Sequence, residues 1–154
     1  MNDVAYAERL AELFKQSGLP PMAGRILAWL LICDPPHRSQ QELADELQAS
    51  MGSISTMNRL LMEVGLIERF TVIGERRDFY RLPNDVWHTL ITSKWRNVAH
   101  FRQVADEGLA MMADQSAEQR ARLKEFRDTY AFFEAELPAL MQKWEQRHQA
   151  EEAS

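Results

Sequence analysis

Gly52, Ser55, Thr56 and Arg59 have the residue types and spacing of a surface that reads nucleic acid. At 100° per residue they share one side of a helix running from an N-cap at Ser50 to Val64. Ile54, Met57, Leu61 and Val64 cluster on the other side, facing a core. Small residues permit close approach to base edges, hydroxyls bond bases or phosphates, and an arginine pairs bidentately with guanine. Ser39, Gln40 and Ser53 are placed to position such a helix on phosphate. Further on, Arg76 and Arg77 occupy the tip of a hairpin. From there an arginine can enter a minor groove, where negative potential is concentrated. Ser, Thr and Arg are also ordinary surface residues, and a turn with two arginines is an ordinary solvated turn. The elements that carry them decide between these readings.

Those elements lie within residues 39–82. Ser39 caps a short helix, and Glu42 three residues on completes a capping box. Leu43, Ala44 and Leu47 are its inward residues. A tight turn leads to the second helix, which Gly65 ends in a left-handed C-cap before Leu66 and Ile67 return the chain to the core. Residues 67–73 are strand-forming, 74–77 form a turn, and 78–82 return as a second strand. Helix, turn, helix and two-stranded ribbon is the order of a winged helix-turn-helix, whose second helix lies in the DNA major groove. Glu75 and Asp78 flank the two arginines and either neutralise them or hold one in pose.

The flanking segments are helical. Tyr6, Leu10, Leu13 and Phe14 share one face of a helix from about Asn2 to Ser17, ended by Gly18. Pro20 and Pro21 suit the first turn of the next helix, whose apolar run reaches Cys33. Pro83 opens a single helix to about Ala113, roughly 45 Å long, with Trp87, Ile91, Trp95, Val98, Phe101, Ala105, Leu109 and Met112 at spacings of three or four. Ser116 and Gln119 form a second capping box. Beyond it Leu123, Phe126, Tyr130, Phe133, Leu137, Leu140 and Trp144 make a coiled-coil seam of about three heptads, which Pro138 should kink or restart. Two long amphipathic helices on 154 residues lack partner surface of their own, so a homodimer is expected. The plan is mainly α with a small β-wing. Residues 1–18 form an N-terminal helix joining the dimer interface, 19–83 a winged helix-turn-helix, and 84–150 the dimerisation helices.

Bulk properties exclude several alternatives. A net charge of −5 argues against a generic nucleic-acid binder held by a basic surface. Arginines only slightly outnumber acids within residues 50–82, so duplex binding must come from a few well-placed side chains, doubled by dimerisation. The same charge suits the rival reading, a winged-helix protein-interaction module that never binds DNA. Cys33 is alone, which rules out an intramolecular disulfide or a paired-cysteine metal site, and a thiol in so apolar a helix is inert. His37, His88, His100 and His148 lack metal-ligand spacing. No phosphate loop, nucleophile elbow or catalytic constellation appears, so neither an enzyme nor a cofactor is expected. The N-terminus does not read as a signal peptide and the longest apolar run is too short to cross a bilayer. A soluble cytoplasmic protein follows.

The run SQQELADELQ…GSISTMNRLLMEVGLIERF…GERRDFYRL resembles the MarR superfamily of winged-helix transcription regulators. With Gly18-Leu-Pro-Pro-Met-Ala-Gly-Arg and the two long C-terminal helices, it most resembles the branch named for GbsR, the glycine-betaine synthesis regulator. The resemblance implies a homodimer on a pseudo-palindromic operator, usually a repressor that a small molecule or chemical signal releases. The family's wing carries an aspartate, any residue, then an arginine that enters the minor groove. Here the pattern reads Glu75-Arg76-Arg77, which makes Arg77 the match, with Arg76 behind it. Pro83 stands where many relatives carry Thr. That branch includes choline-responsive members, and aromatic cages hold quaternary ammonium ions. Tyr80, Trp87, Trp95 and Tyr130 are therefore the effector candidates, against the plainer reading of a core or dimer seam.

Overall fold

A computed structural model describes residues 3–153. Asn2, where the sequence places the start of the first helix, lies outside the described residues, as does Met1. The chain divides into two compact units, Met1–Ile91 and Thr92–Ser154.

The first unit begins with α1 (Asp3–Gln16) and α2 (Pro21–Ile32). The face of α1 that packs on the core keeps Leu10 and Phe14 of the expected stripe but not Tyr6 and Leu13. Ala7, Ala11 and Phe14 are buried, whereas Tyr6 and Leu13 are exposed. The cause is close approach at Gly24, where a Cβ would lie 3.0 Å from the Ala11 carbonyl oxygen. Small side chains fill that contact, and the larger apolar ones are left on the outer edge. From α2, Ile26, Leu27 and Leu30 form the centre of the core with Leu43, Ile54, Leu61 and Val86.

The helix-turn-helix follows as α3 (Gln40–Glu46) and α4 (Met51–Glu63). Ser39 and Glu42 form the capping box that the sequence predicts, and Leu43, Ala44 and Leu47 are buried. The turn between the helices places Gln48 at φ +52°. Helix α4 starts from Ser50, whose hydroxyl accepts the Ser53 amide at 3.1 Å. Gly65 ends it at φ +76°, where only a residue without Cβ avoids strain. The Leu66 amide then donates to the Leu61 carbonyl at 2.9 Å. Leu66 and Ile67 are buried as expected, but Val64 is nearly half exposed rather than part of the core. Its place on the inner face is taken by Asn58, 1% exposed.

The sheet has three strands rather than two. Strands β2 (Glu68–Thr71) and β3 (Asp78–Arg81) form the wing, and β1 (Arg38–Ser39) pairs antiparallel with β3, giving the order β1-β3-β2. Two residues are too few for an alternation pattern to reveal β1. Its register sets Arg38 opposite Tyr80 and Ser39 opposite Phe79, so the wing is stitched to the start of α3.

The long helix expected from Pro83 is two helices, α5 (Val86–Trp95) and α6 (Val98–Met111). Pro83 does not open α5. Its carbonyl accepts the Val86 amide in a turn, and Asp85 accepts the Thr89 amide. The break at Arg96 and Asn97 leaves Asn97 at φ −88°, ψ −6°, close to helical values. Apolar periodicity therefore runs across an interruption it does not register.

In the second unit α6 packs antiparallel on α7 (Ala117–Glu152). Asp106 bridges to Arg127 at 3.5 Å, and Arg102 pairs with Glu134 nearer the start of α6. Ser116 and Gln119 form the second capping box. Pro138 does not restart α7, which is continuous for 36 residues and has no buried residue. Phe132, Leu140 and Trp144 are half exposed or more, and Phe133 is nearly so.

Candidate nucleic-acid interface

The outer face of α4 is built from its buried one. Ile54 and Leu61 are fully buried, which fixes the rotation of the helix and turns Gly52, Thr56 and Arg59 outward, all exposed. Ser53 and Ser55 are half-buried at the edges of that face. The Thr56 hydroxyl donates to the Gly52 carbonyl at 2.9 Å, leaving its oxygen to accept. Arg59 makes no ion pair or side-chain hydrogen bond among the described residues. Gln40 donates through Nε2 to the Met51 carbonyl at 3.3 Å, tying the start of α3 to the start of α4.

Ser39 does not join this surface. It is 2% exposed, its hydroxyl accepts the Glu42 amide at 3.2 Å, and its own amide donates to Glu42 Oε2 at 2.8 Å. A buried capping hydroxyl has no face left for phosphate. Ser39→Ala is therefore expected to cost about 1 kcal/mol of stability, roughly 2–4 °C in a thermal melt. The salt dependence of any duplex binding should stay as in the wild type; a shallower dependence would restore Ser39 as a phosphate contact.

On the wing, Arg69 pairs with Asp78 at 3.6 Å, and Arg81 pairs with Glu68 at 2.6 Å while lying over the Phe70 ring. Arg77 meets Glu42 at 3.1 Å and Glu75 at 3.2 Å. Of the two acids that flank the arginines, Glu75 holds Arg77 and Asp78 is engaged elsewhere. The Ser39 amide hydrogen bond holds the Glu42 carboxyl below the usual range, with smaller contributions from Arg77 and Arg38. Arg76 is exposed and has no such partner among the described residues.

Three of the four aromatic candidates pack against other side chains. Tyr80 is 6% exposed in the core, and Trp87 stacks on Phe14 with centroids 6.5 Å apart. Tyr130 packs on Phe101 and Phe126 at 5.0 and 4.7 Å. Trp95 is half-buried. Tyr80 and Trp87 belong to the first unit, Trp95 and Tyr130 to the second. Cys33 is buried, and burial pushes its thiol pKa up. Among the described residues no group of three His, Cys, Asp or Glu is placed to hold a metal, and no helix is long and apolar enough to cross a membrane.

Two features escaped the sequence reading. Helical phasing puts Asn58 on the inner face with Ile54 and Leu61, so that signal was present. The second use of Glu42, as partner of Arg77, joins residues 35 apart and left no local sign.

A capped helix-turn-helix with a two-stranded wing in a three-stranded sheet defines a winged helix-turn-helix protein. A family model described as an MmpR5-like MarR family transcriptional regulator matches residues 85–147. The HTH-type transcriptional regulator MmpR5 of Mycobacterium tuberculosis is 37% identical over 142 residues, covering 92% of this chain and 86% of that protein. The putative HTH-type transcriptional regulator YvaV of Bacillus subtilis is 26% identical, covering 85% and 86%. A crystal structure described as that of a transcriptional regulator superposes with TM-score 0.74 at 35% identity, covering 95% of this chain and 99% of that one. The chain belongs to the MarR family of transcriptional regulators, within its MmpR5-like group. The relatives are regulators rather than enzymes.

Proposed function

We propose that this regulator binds a pseudo-palindromic duplex as a homodimer and represses transcription there. One observation carries the reading. The outward face of α4 presents Gly52, Thr56 and an Arg59 unpaired among the described residues, on a helix whose rotation the core fixes. Ser53, Ser55 and Gln40 border it, and Arg76 stands on the neighbouring wing. In a two-fold dimer the two α4 helices would sit about 34 Å apart, one DNA turn. The half-exposed aromatics of α7 and the exposed Tyr6 and Leu13 of α1 supply apolar surface for the second copy. This supports the division into residues 1–18 and 84–150 for assembly and 19–83 for DNA. Kinship with the GbsR branch and release by a small-molecule effector rest on the sequence resemblance, and a cytoplasmic location follows from a role on DNA.

The test is a titration against the duplex upstream of the protein's own gene, at two salt concentrations with excess nonspecific competitor. Specific retention is expected, with affinity falling steeply with salt. A duplex that competes no better than random DNA sinks the proposal and favours the protein-interaction module.

A further inference from the structure

We infer that Arg77 is a strut that positions the wing, and that the wing's DNA-facing tip is Arg76 with Ile73. The inference rests on the DNA-binding reading above and changes which arginine carries it.

Arg77 points back toward the helix-turn-helix. Its Nη1 donates to Glu42 Oε1 at 3.1 Å and its Nε to Glu75 Oε2 at 3.2 Å. Its guanidinium carbon lies 4.9 Å from the centre of the Phe79 ring. Glu42 uses its other oxygen, Oε2, to accept the Ser39 amide at 2.8 Å. One carboxylate thus closes the start of α3 and anchors the wing. Ser39 belongs also to β1, whose pairing with Phe79 ties the base of the wing to the same point. The arginine that best matches the family pattern is therefore the more engaged of the two at the wing's tip.

Exposed ion pairs add little stability, and the value of this network is position. For Arg77 to enter a groove it would give up Glu42, Glu75 and the Phe79 face together. Two carboxylates would then lose their shared guanidinium beside phosphates, a like-charge arrangement that opposes binding. Arg76 has no such partner to give up. Ile73, beside Gly74 in the same turn, is fully exposed at 104%. An apolar side chain at that place can pack against the walls of a minor groove, as apolar wedges do in other minor-groove binders.

The test uses duplexes enriched from a random library by the full wild-type chain, and compares Arg76→Ala, Ile73→Ser, Arg77→Ala, Glu42→Gln, Glu75→Gln and the Arg77→Ala/Glu42→Gln double variant. Arg76→Ala should weaken binding at least tenfold and reduce the slope of log affinity against log salt by about two, one for each chain of the dimer. Ile73→Ser should weaken binding severalfold with the slope unchanged. Glutamine preserves a capping box, so Glu42→Gln should fold, and a thermal melt checks that it does. It should weaken binding severalfold although it removes a negative charge. The double variant should be no weaker than Arg77→Ala, the non-additivity of a coupled pair. Glu75→Gln should shift affinity in the same direction without touching the α3 cap. Tighter binding by Glu42→Gln and Glu75→Gln overturns the strut, as does an Arg77→Ala slope change equal to that of Arg76→Ala. Additive effects in the double variant also overturn it, while leaving the DNA-binding reading intact. A wild-type chain that enriches no duplex overturns both.

Discussion

Arg59→Ala is expected to weaken specific duplex binding by about 1–3 kcal/mol at each half-site, roughly five- to 150-fold per contact, and to relax sequence preference at one base pair of each half-site. The thermal midpoint should stay close to that of the wild type, because Arg59 is exposed and supports no described contact. That freedom is the reason to expect so large an effect on binding. Arg69 and Arg81 must break ion pairs with Asp78 and Glu68 before they can meet DNA, whereas Arg59 gives up only water. It also sits on a helix anchored by Ile54 and Leu61, both fully buried, so little orientation is lost on binding. In a two-fold dimer each chain loses its contact, and the measured change for the complex counts both. Competition against duplexes substituted one base pair at a time separates the roles. Equal weakening on every sequence would make Arg59 a phosphate contact and move specificity to Ser55 or Thr56.

The parts of this fold that were legible in the sequence are those written in a few adjacent residues. The capping boxes at Ser39 and Ser116, the stop at Gly65 and the wing turn each depend on residues one to four apart. What was hidden depends on distance or on brevity. Strand β1 has two residues, and the break at Arg96 and Asn97 keeps near-helical dihedrals that preserve the apolar period. The α1 face is only half legible, Leu10 and Phe14 facing the core but Tyr6 and Leu13 not, because a glycine on another helix sets how close α1 can come. The interface shows the same division. Phasing alone turned Thr56 and Arg59 outward, as the structure has them. Ser39 was given two uses, cap and phosphate contact, although a hydroxyl 2% exposed can serve only the first. The engagement of Arg77 turns on Glu42, a residue already explained by its cap, so nothing in the sequence asked for a second role.

Asn58→Leu is expected to raise stability by about 1–3 kcal/mol, a gain of roughly 2–10 °C in the thermal midpoint. Asn58 is 1% exposed, and neither its Oδ1 nor its Nδ2 has a hydrogen-bond partner among the described residues. A buried amide in that condition loses its hydration without replacement, whereas a leucine of similar branching removes the cost and adds apolar contact. The surroundings favour the exchange, since Asn58 lies on the face of α4 between fully buried Ile54 and Leu61. Asn58→Ala separates the two contributions: it removes the amide but leaves a cavity, and should fall between wild type and Asn58→Leu. A lower midpoint for both variants would mean that the amide is satisfied in solution. Duplex affinity supplies an independent reading. If the amide is only a cost, Asn58→Leu should bind as the wild type does, because the side chain never reaches the outer face. A variant that is more stable yet binds more weakly would assign Asn58 the work of seating α4 in one rotation, so that Arg59, the next residue, meets the groove.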